Sequence, residues 1–143
     1  MTAYADNEWP PRATGTMFKS DETPGAVKRH QRRKDAAQAL EDAYAEVDIR
    51  DAGVCWVTGR TTRSKAADAR VRREHHHLKG RNVKPEWVDK PERIITVCAE
   101  AHDLITQGWI VAEGVDARRE IRFHWAAHVK PALRPFHIRS RRS

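Results

Sequence analysis

The chain has 143 residues, enough for one domain with a modest core and little room for a second. Charged residues make up 33% of it, and 27 Lys and Arg against 20 Asp and Glu leave a formal charge of +7. Two cysteines are too few for a disulfide framework, and no apolar run reaches the roughly 18 residues that would span a bilayer. No secretory h-region is visible, so the expectation is a soluble cytoplasmic protein.

The positive excess is local. It lies in KRHQRRK (28–34), in RVRR (70–73) and in RSRRS at the C-terminus. Clustered bases on a small domain suit a polyanion, most simply nucleic acid, although any one such run also serves as a solvated face.

Residues 1–25 carry Pro10, Pro11, Pro24, Gly15 and Gly25 without periodicity and read as a flexible N-terminal arm. From Ala26 to about Val47 the pattern is helical, with Ala36, Leu40, Ala43, Tyr44 and Val47 on one stripe. This helix starts basic and ends acidic, the reverse of what its dipole favours, and phosphate contact is one reason to keep that order. Gly53 and Gly59 bracket VCWV, a brief strand or knuckle. Thr61 to Ala69 reads as a polar loop or a short helical turn. Arg70 to Leu78 reads as a partly exposed strand, and Gly80 to Asp89 as a loop. Ile94 to Val97 is β-branched and predicts a strand, Cys98 to Gln107 a helix ended by Gly108. Trp109–Ala112 and Arg119–Phe123 predict a hairpin turning at Glu113–Asp116. From Pro131 onward the chain reads as an irregular basic tail.

The stretch that carries chemistry is Glu74-His75-His76-His77-Leu78-Lys79-Gly80-Arg81, read with Cys98-Ala99-Glu100-Ala101-His102. A strand alternates its faces, so His75 and His77 point one way and His76 the other. Neighbouring imidazoles can then divide two tasks, metal binding and proton transfer, because a neutral ring coordinates metals and titrates near neutrality.

The segments RDAGVCWVTG, EHHHLKGR and PERIITVCAEAH, in that order, resemble the HNH endonuclease family over about residues 48–125. The likeness is to its small phage and prophage members. The family's pattern is Cys-x-x-Cys, then an acid two before His-His, then an Asn ahead of an apolar strand, then Cys-x-x-Cys-His. The resemblance implies an α+β fold: a ββα-metal (His-Me finger) core with an N-terminal helix and a C-terminal β-hairpin. It makes residues 26–130 a nuclease domain with an N-terminal basic helix, between the arm at 1–25 and the basic tail at 131–143.

It further implies that His76 and His102 hold one divalent cation (Mg, Mn, Ni or Zn) and that His77 is the general base. His75 and His76 are the other register the triplet allows; the following Leu-Lys-Gly-Arg falls as in the family with His76 and His77. Glu74 matches the family's acid. The partner implied is DNA, with Lys28, Arg29, Arg32, Arg33, Arg73, Lys79 and Arg81 as phosphate neighbours, and the setting is the cytoplasm of a bacterial host. Phage packaging or recombination proteins, or mobile-element homing, are the roles such members suggest.

Three departures bear on this. The family's Asn falls at Arg93, which has no acceptor and could only donate to a carbonyl or to phosphate in its catalytic place; Asn82 lies nearby in the loop. Each Cys-x-x-Cys pair is half lost, to Thr58 and Ala101. Two thiolates do not make a tetrahedral zinc site, so no structural zinc is expected and Cys55 and Cys98 are expected to pack together. A further His ligand found in some members falls at Thr106. A catalytically impaired DNA-binding or accessory protein on the same fold is therefore the alternative expectation, and a zinc-dependent interaction module a remoter one.

Overall fold

The computed structural model describes residues 23–139 and contains two α-helices and two small antiparallel sheets, a mixed α+β architecture. Helix α1 spans Pro24–Asp51, strand β1 Arg73–His77, strand β2 Ile94–Cys98, helix α2 Ala99–Thr106, strand β3 Ile110–Glu113 and strand β4 Arg122–Trp125. By internal contacts the chain divides after Arg33. In the first unit, the opening turns of α1 carry Lys28, Arg29, Arg32 and Arg33, all exposed. The second unit, from Lys34, holds everything that follows. Among the described residues no helix is long and apolar enough to cross a membrane. Trp9 and most of the arm, and the last four residues of the tail, lie outside the described residues.

β1 and β2 pair with each other, and α2 follows β2 without a break. Cross-strand partners share a face of the sheet. Glu74 sits opposite Val97 and His76 opposite Ile95 on one face; His75 sits opposite Thr96 and His77 opposite Ile94 on the other. A helix covers each face. Ile94 packs with Ala43 and Val47 of α1, where the apolar stripe of the sequence predicts the buried side. Ile95 and Val97 join Cys55, Val57, Leu78, Cys98, Ala101 and Ile110 in the larger core. The alternation of the histidines thus has a physical consequence: His75 and His77 meet α1, and His76 meets α2.

The free edge of β2 is satisfied by groups far away in sequence. The Thr96 N–H donates to the Asp51 carboxylate at 2.8 Å, and the Trp56 N–H donates to the Thr96 carbonyl at 3.0 Å. VCWV is a knuckle rather than a strand. It is closed by the Gly59 N–H on the Cys55 carbonyl and the Cys55 N–H on the Arg60 carbonyl. It seats Cys55 against Cys98, both fully buried, with the sulfurs 3.7 Å apart, as the two residues' small apolar character leads one to expect.

Three boundaries differ from the sequence expectation, each for a local reason. β1 begins at Arg73 because Asp68 turns the preceding residues: its carboxylate accepts from the Arg70 N–H, and its carbonyl from those of Val71 and Arg72. β4 starts three residues later than expected because 116–119 form a turn on Asp116. The Asp116 carboxylate accepts the Arg118 N–H, and the Ala117 N–H docks on the Glu92 carbonyl. Gly114, at φ +119°, starts this longer connection where a Cβ would lie 3.1 Å from the Glu120 carbonyl oxygen. Among its described residues the tail has no strand or α-helix, but Phe136 and Ile138 pack on the larger core and the Arg139 N–H donates to the Val57 carbonyl.

Candidate functional site

The site is built from β1, β2, the loop after β1, Tyr44 and Asp48 of α1 and His102 of α2. His76 projects from β1 toward α2, and its ring meets His102 at 5.3 Å between centroids, nearly perpendicular at 73°. His102 lies one turn into α2, directly after the β2–α2 junction. Its Nδ1 lies 2.5 Å from the Glu74 carboxylate. A carboxylate only accepts, so Nδ1 carries the proton and Nε2 is left with the lone pair. Glu74 is held in turn by Arg72 at 3.5 Å. His76 makes no hydrogen bond through either ring nitrogen among the described residues. Burial, and then the neighbouring imidazoles of His102 and His77, hold its pKa down at about 4, so it is neutral at physiological pH.

A neutral imidazole without a partner, beside a second imidazole whose other nitrogen is tied to a carboxylate, is a donor set that suits a divalent cation. The set is small. Among the described residues no three His, Cys, Asp or Glu side chains are grouped to hold an ion on their own. Two imidazoles would leave the remaining positions to phosphate and water.

His77 lies on the opposite face. Its Nε2 is 3.0 Å from the Val88 carbonyl oxygen, which fixes the proton on Nε2 and leaves the lone pair on Nδ1. Burial lowers its pKa, and the Val88 hydrogen bond opposes part of that shift. The Nδ1 faces the Arg81 Nε–H at 3.5 Å, a long hydrogen bond, while another nitrogen of the same guanidinium donates to the Tyr44 hydroxyl. His75 is engaged separately: its Nε2–H donates to Asp48 at 2.8 Å, and its ring is stacked on Tyr44. Of the three histidines, then, it is His76 that meets His102.

The other residues singled out by sequence fall in distinct places. Arg93 closes the 3-10 turn before β2, and its carbonyl extends the β1–β2 ladder by accepting from the Leu78 N–H. Its guanidinium donates to the Val115 carbonyl at 2.7 Å and lies 4.1 Å over the Trp87 ring. No hydrogen bond joins it to His76, His77 or His102 among the described residues. Arg73 is committed to Thr62, through Oγ1 at 3.1 Å and the carbonyl at 3.2 Å, and to Asp48 at 3.3 Å. Lys79, Arg81 and Asn82 are exposed on the loop after β1, and Asp103 is exposed on α2.

Sequence reasoning did not single out Val88, Asp48 or the hydroxyl of Tyr44. A backbone carbonyl leaves no mark in a sequence. Tyr44 has the spacing of a core residue, and Asp48 lies one turn further along the same helix face, a pairing visible only once the partner strand is known. Compared with known proteins, the chain matches no family model, no curated protein and no solved structure.

Proposed function

We propose that the protein is a metal-dependent endonuclease of the HNH type that hydrolyses DNA phosphodiester bonds, with β1, β2 and α2 as its ββα-metal core. The observation that carries this reading is the placement of two imidazoles from separate elements, His76 and His102, beside one another, with a third, His77, next to His76 on β1 and close enough that, beyond burial, His102 opposes the charging of both. A packing role would not require an unpartnered neutral His76, nor a carboxylate behind His102.

In this reading His77 is the base. The Val88 carbonyl keeps the proton on Nε2, and Nδ1 accepts the proton of a water as its oxygen attacks phosphorus, a contribution of about 10²–10⁴-fold. The phosphorus–O3′ bond breaks as the new bond forms. His76 and His102 would hold a divalent cation, which when bound supplies charge to a non-bridging oxygen and to the departing 3′ oxygen. Glu74 orients His102 through Nδ1, so that Nε2 faces outward with its lone pair. Arg81 is exposed and adjacent to His77, where its fork can take a phosphate oxygen. The missing family Asn is compensated at least in orientation by Val88. Arg93 is turned to Val115 and Trp87, and it acts in this reading through the loop it holds rather than on the phosphate.

The test is plasmid nicking with Mg²⁺, Mn²⁺ and Ni²⁺ in turn, wild type against His77→Ala, with chelator controls. Nicking by wild type that falls by two or more orders of magnitude in the variant, about the share of a general base, supports the assignment. Equal nicking by both proteins, or none by either, refutes it. The second outcome would favour a DNA-binding accessory protein, and DNA affinity that falls steeply with salt would then remain as the measurable property.

A further inference from the structure

Resting on the nuclease reading, we propose that Tyr44 of α1 is a positioning residue of this site, holding the His77 ring and the Arg81 guanidinium as one unit. The helical stripe alone would make Tyr44 a filler of the space beside Ala43, Val47 and Ile94. Its contacts are more particular than that. Its ring lies parallel to His75, at 7° and 4.2 Å between centroids, and presents an edge to His77 at 6.1 Å and 67°. Its hydroxyl accepts a hydrogen bond from the Arg81 guanidinium. A leucine would fill the same volume and supply neither the flat face nor the acceptor.

The stack is held at its other end. His75 donates to Asp48 at 2.8 Å, and Asp48 is paired with Arg73 at 3.3 Å. Tyr44 and Asp48 are four residues apart and so share one face of α1. The helix therefore grips His75 between an aromatic face and a carboxylate, and the same aromatic ring limits how His77 can rotate. Burial raises the Tyr44 pKa, which keeps the hydroxyl neutral and available as an acceptor.

Arg81 is the part that benefits most. It is exposed, and an exposed arginine on a loop samples many rotamers. Anchored through one nitrogen at Tyr44, its Nε stays beside His77 Nδ1 at 3.5 Å. A phosphate is a stronger acceptor than an imidazole. It can draw Nε–H away and free Nδ1 for water, while the anchor keeps the guanidinium at the site. The hydroxyl thus serves phosphate binding, and the ring serves orientation of the base.

Two substitutions separate those roles. Tyr44→Phe keeps the ring and removes the hydroxyl. It is expected to raise KM for DNA about five-fold, the loss of one hydrogen bond, with kcat within about two-fold. Tyr44→Leu removes the face as well and is expected to lower kcat by up to about 100-fold, the cost of a misplaced catalytic group. Thermal melting of both variants corrects each rate for the folded fraction. Folded Tyr44→Leu protein with wild-type kcat and KM would overturn the proposal and leave the nuclease reading intact.

A readout independent of cleavage is the His77 tautomer in the free full-length protein, taken from long-range ¹H–¹⁵N spectra. Wild type should show a lone-pair Nδ1 and a protonated Nε2, and Tyr44→Leu a mixture, because a His77 ring free to turn leaves the Val88 carbonyl that fixes it. An unchanged tautomer and ring environment in Tyr44→Leu would overturn the positioning role even if wild type cut no DNA, an outcome that would separately remove the nuclease reading.

Discussion

Asp51 closes α1 and is fully buried, yet it is a carboxylate. Its Oδ2 accepts the Thr96 N–H at 2.8 Å, and its two oxygens take Arg50 Nε at 2.7 Å and Nη2 at 3.0 Å. Arg50 in turn donates to the carbonyls of Pro91 and Ile94, both at 2.8 Å. The pair staples the end of α1 to β2, and so sets where Tyr44 and Asp48 meet the histidine strand. Asp51→Ala leaves a buried N–H without an acceptor, which costs about 1–3 kcal/mol. It also leaves a half-buried guanidinium without its counter-ion; breaking a buried pair costs about 3–5 kcal/mol in total, and the two figures overlap rather than add. Asp51→Asn keeps the shape and one acceptor and should lose less, about 1–3 kcal/mol. Urea unfolding followed by tryptophan fluorescence gives both values from the midpoints. The hydrogen bonds from Arg50 and Thr96 outweigh burial and lower the Asp51 pKa. A depressed folded pKa contributes stability that is fully present above the unfolded value near 4 and is lost as pH falls through the folded value. The wild type should therefore lose stability below about pH 4 more steeply than Asp51→Asn. Equal midpoints for Asp51→Ala and wild type at neutral pH, or parallel acid profiles for wild type and Asp51→Asn, would refute the staple.

Two further outcomes follow from the site. Glu74→Ala removes the acceptor for His102 Nδ1–H and should raise the Mn²⁺ concentration for half-maximal nicking by about 10–100-fold; an unchanged metal requirement would mean that Glu74 does not orient a ligand. Arg93→Ala removes a carbonyl hydrogen bond at 2.7 Å and a cation–π contact at 4.1 Å. It should lower stability by about 1–2 kcal/mol and lower the rate per folded molecule only modestly, through the loop that carries Val88; a folded variant unable to nick would put Arg93 among the reacting groups after all.

What could be read from the sequence was whatever a short period or a short motif encodes. The α1 stripe named Ala43 and Val47, which are buried against Ile94. The β-branched Ile94–Val97 run is β2, and strand alternation alone separated His76 from His75 and His77. Boundaries failed where a single side chain redirects the backbone, as Asp68 does before β1 and Asp116 does before β4, because one Asp in a polar segment looks like any other. Pairings over long separations were beyond reach. Asp48 with His75, Asp51 with Thr96 and Arg93 with Val115 depend on the register of packing, which local propensity does not specify.

Arg93 is a case of such a long-range pairing, since its partners, Trp87 and Val115, lie in two other segments of the chain. An acceptor at a fixed place selects the tautomer of a neutral histidine, and the Val88 carbonyl does so for His77. Val88 belongs to the loop between β1 and β2, and the 3-10 turn Pro85–Trp87 sets its backbone, with the Val88 N–H closing on the Pro85 carbonyl. Trp87 in that turn is the ring on which Arg93 lies, and Arg93 reaches on to Val115 in the loop after β3. Arg93 is thus tied to the segment whose carbonyl orients His77. Loosening Arg93 would reach His77 through Trp87 and Val88, as a change in tautomer population, before it reached any phosphate.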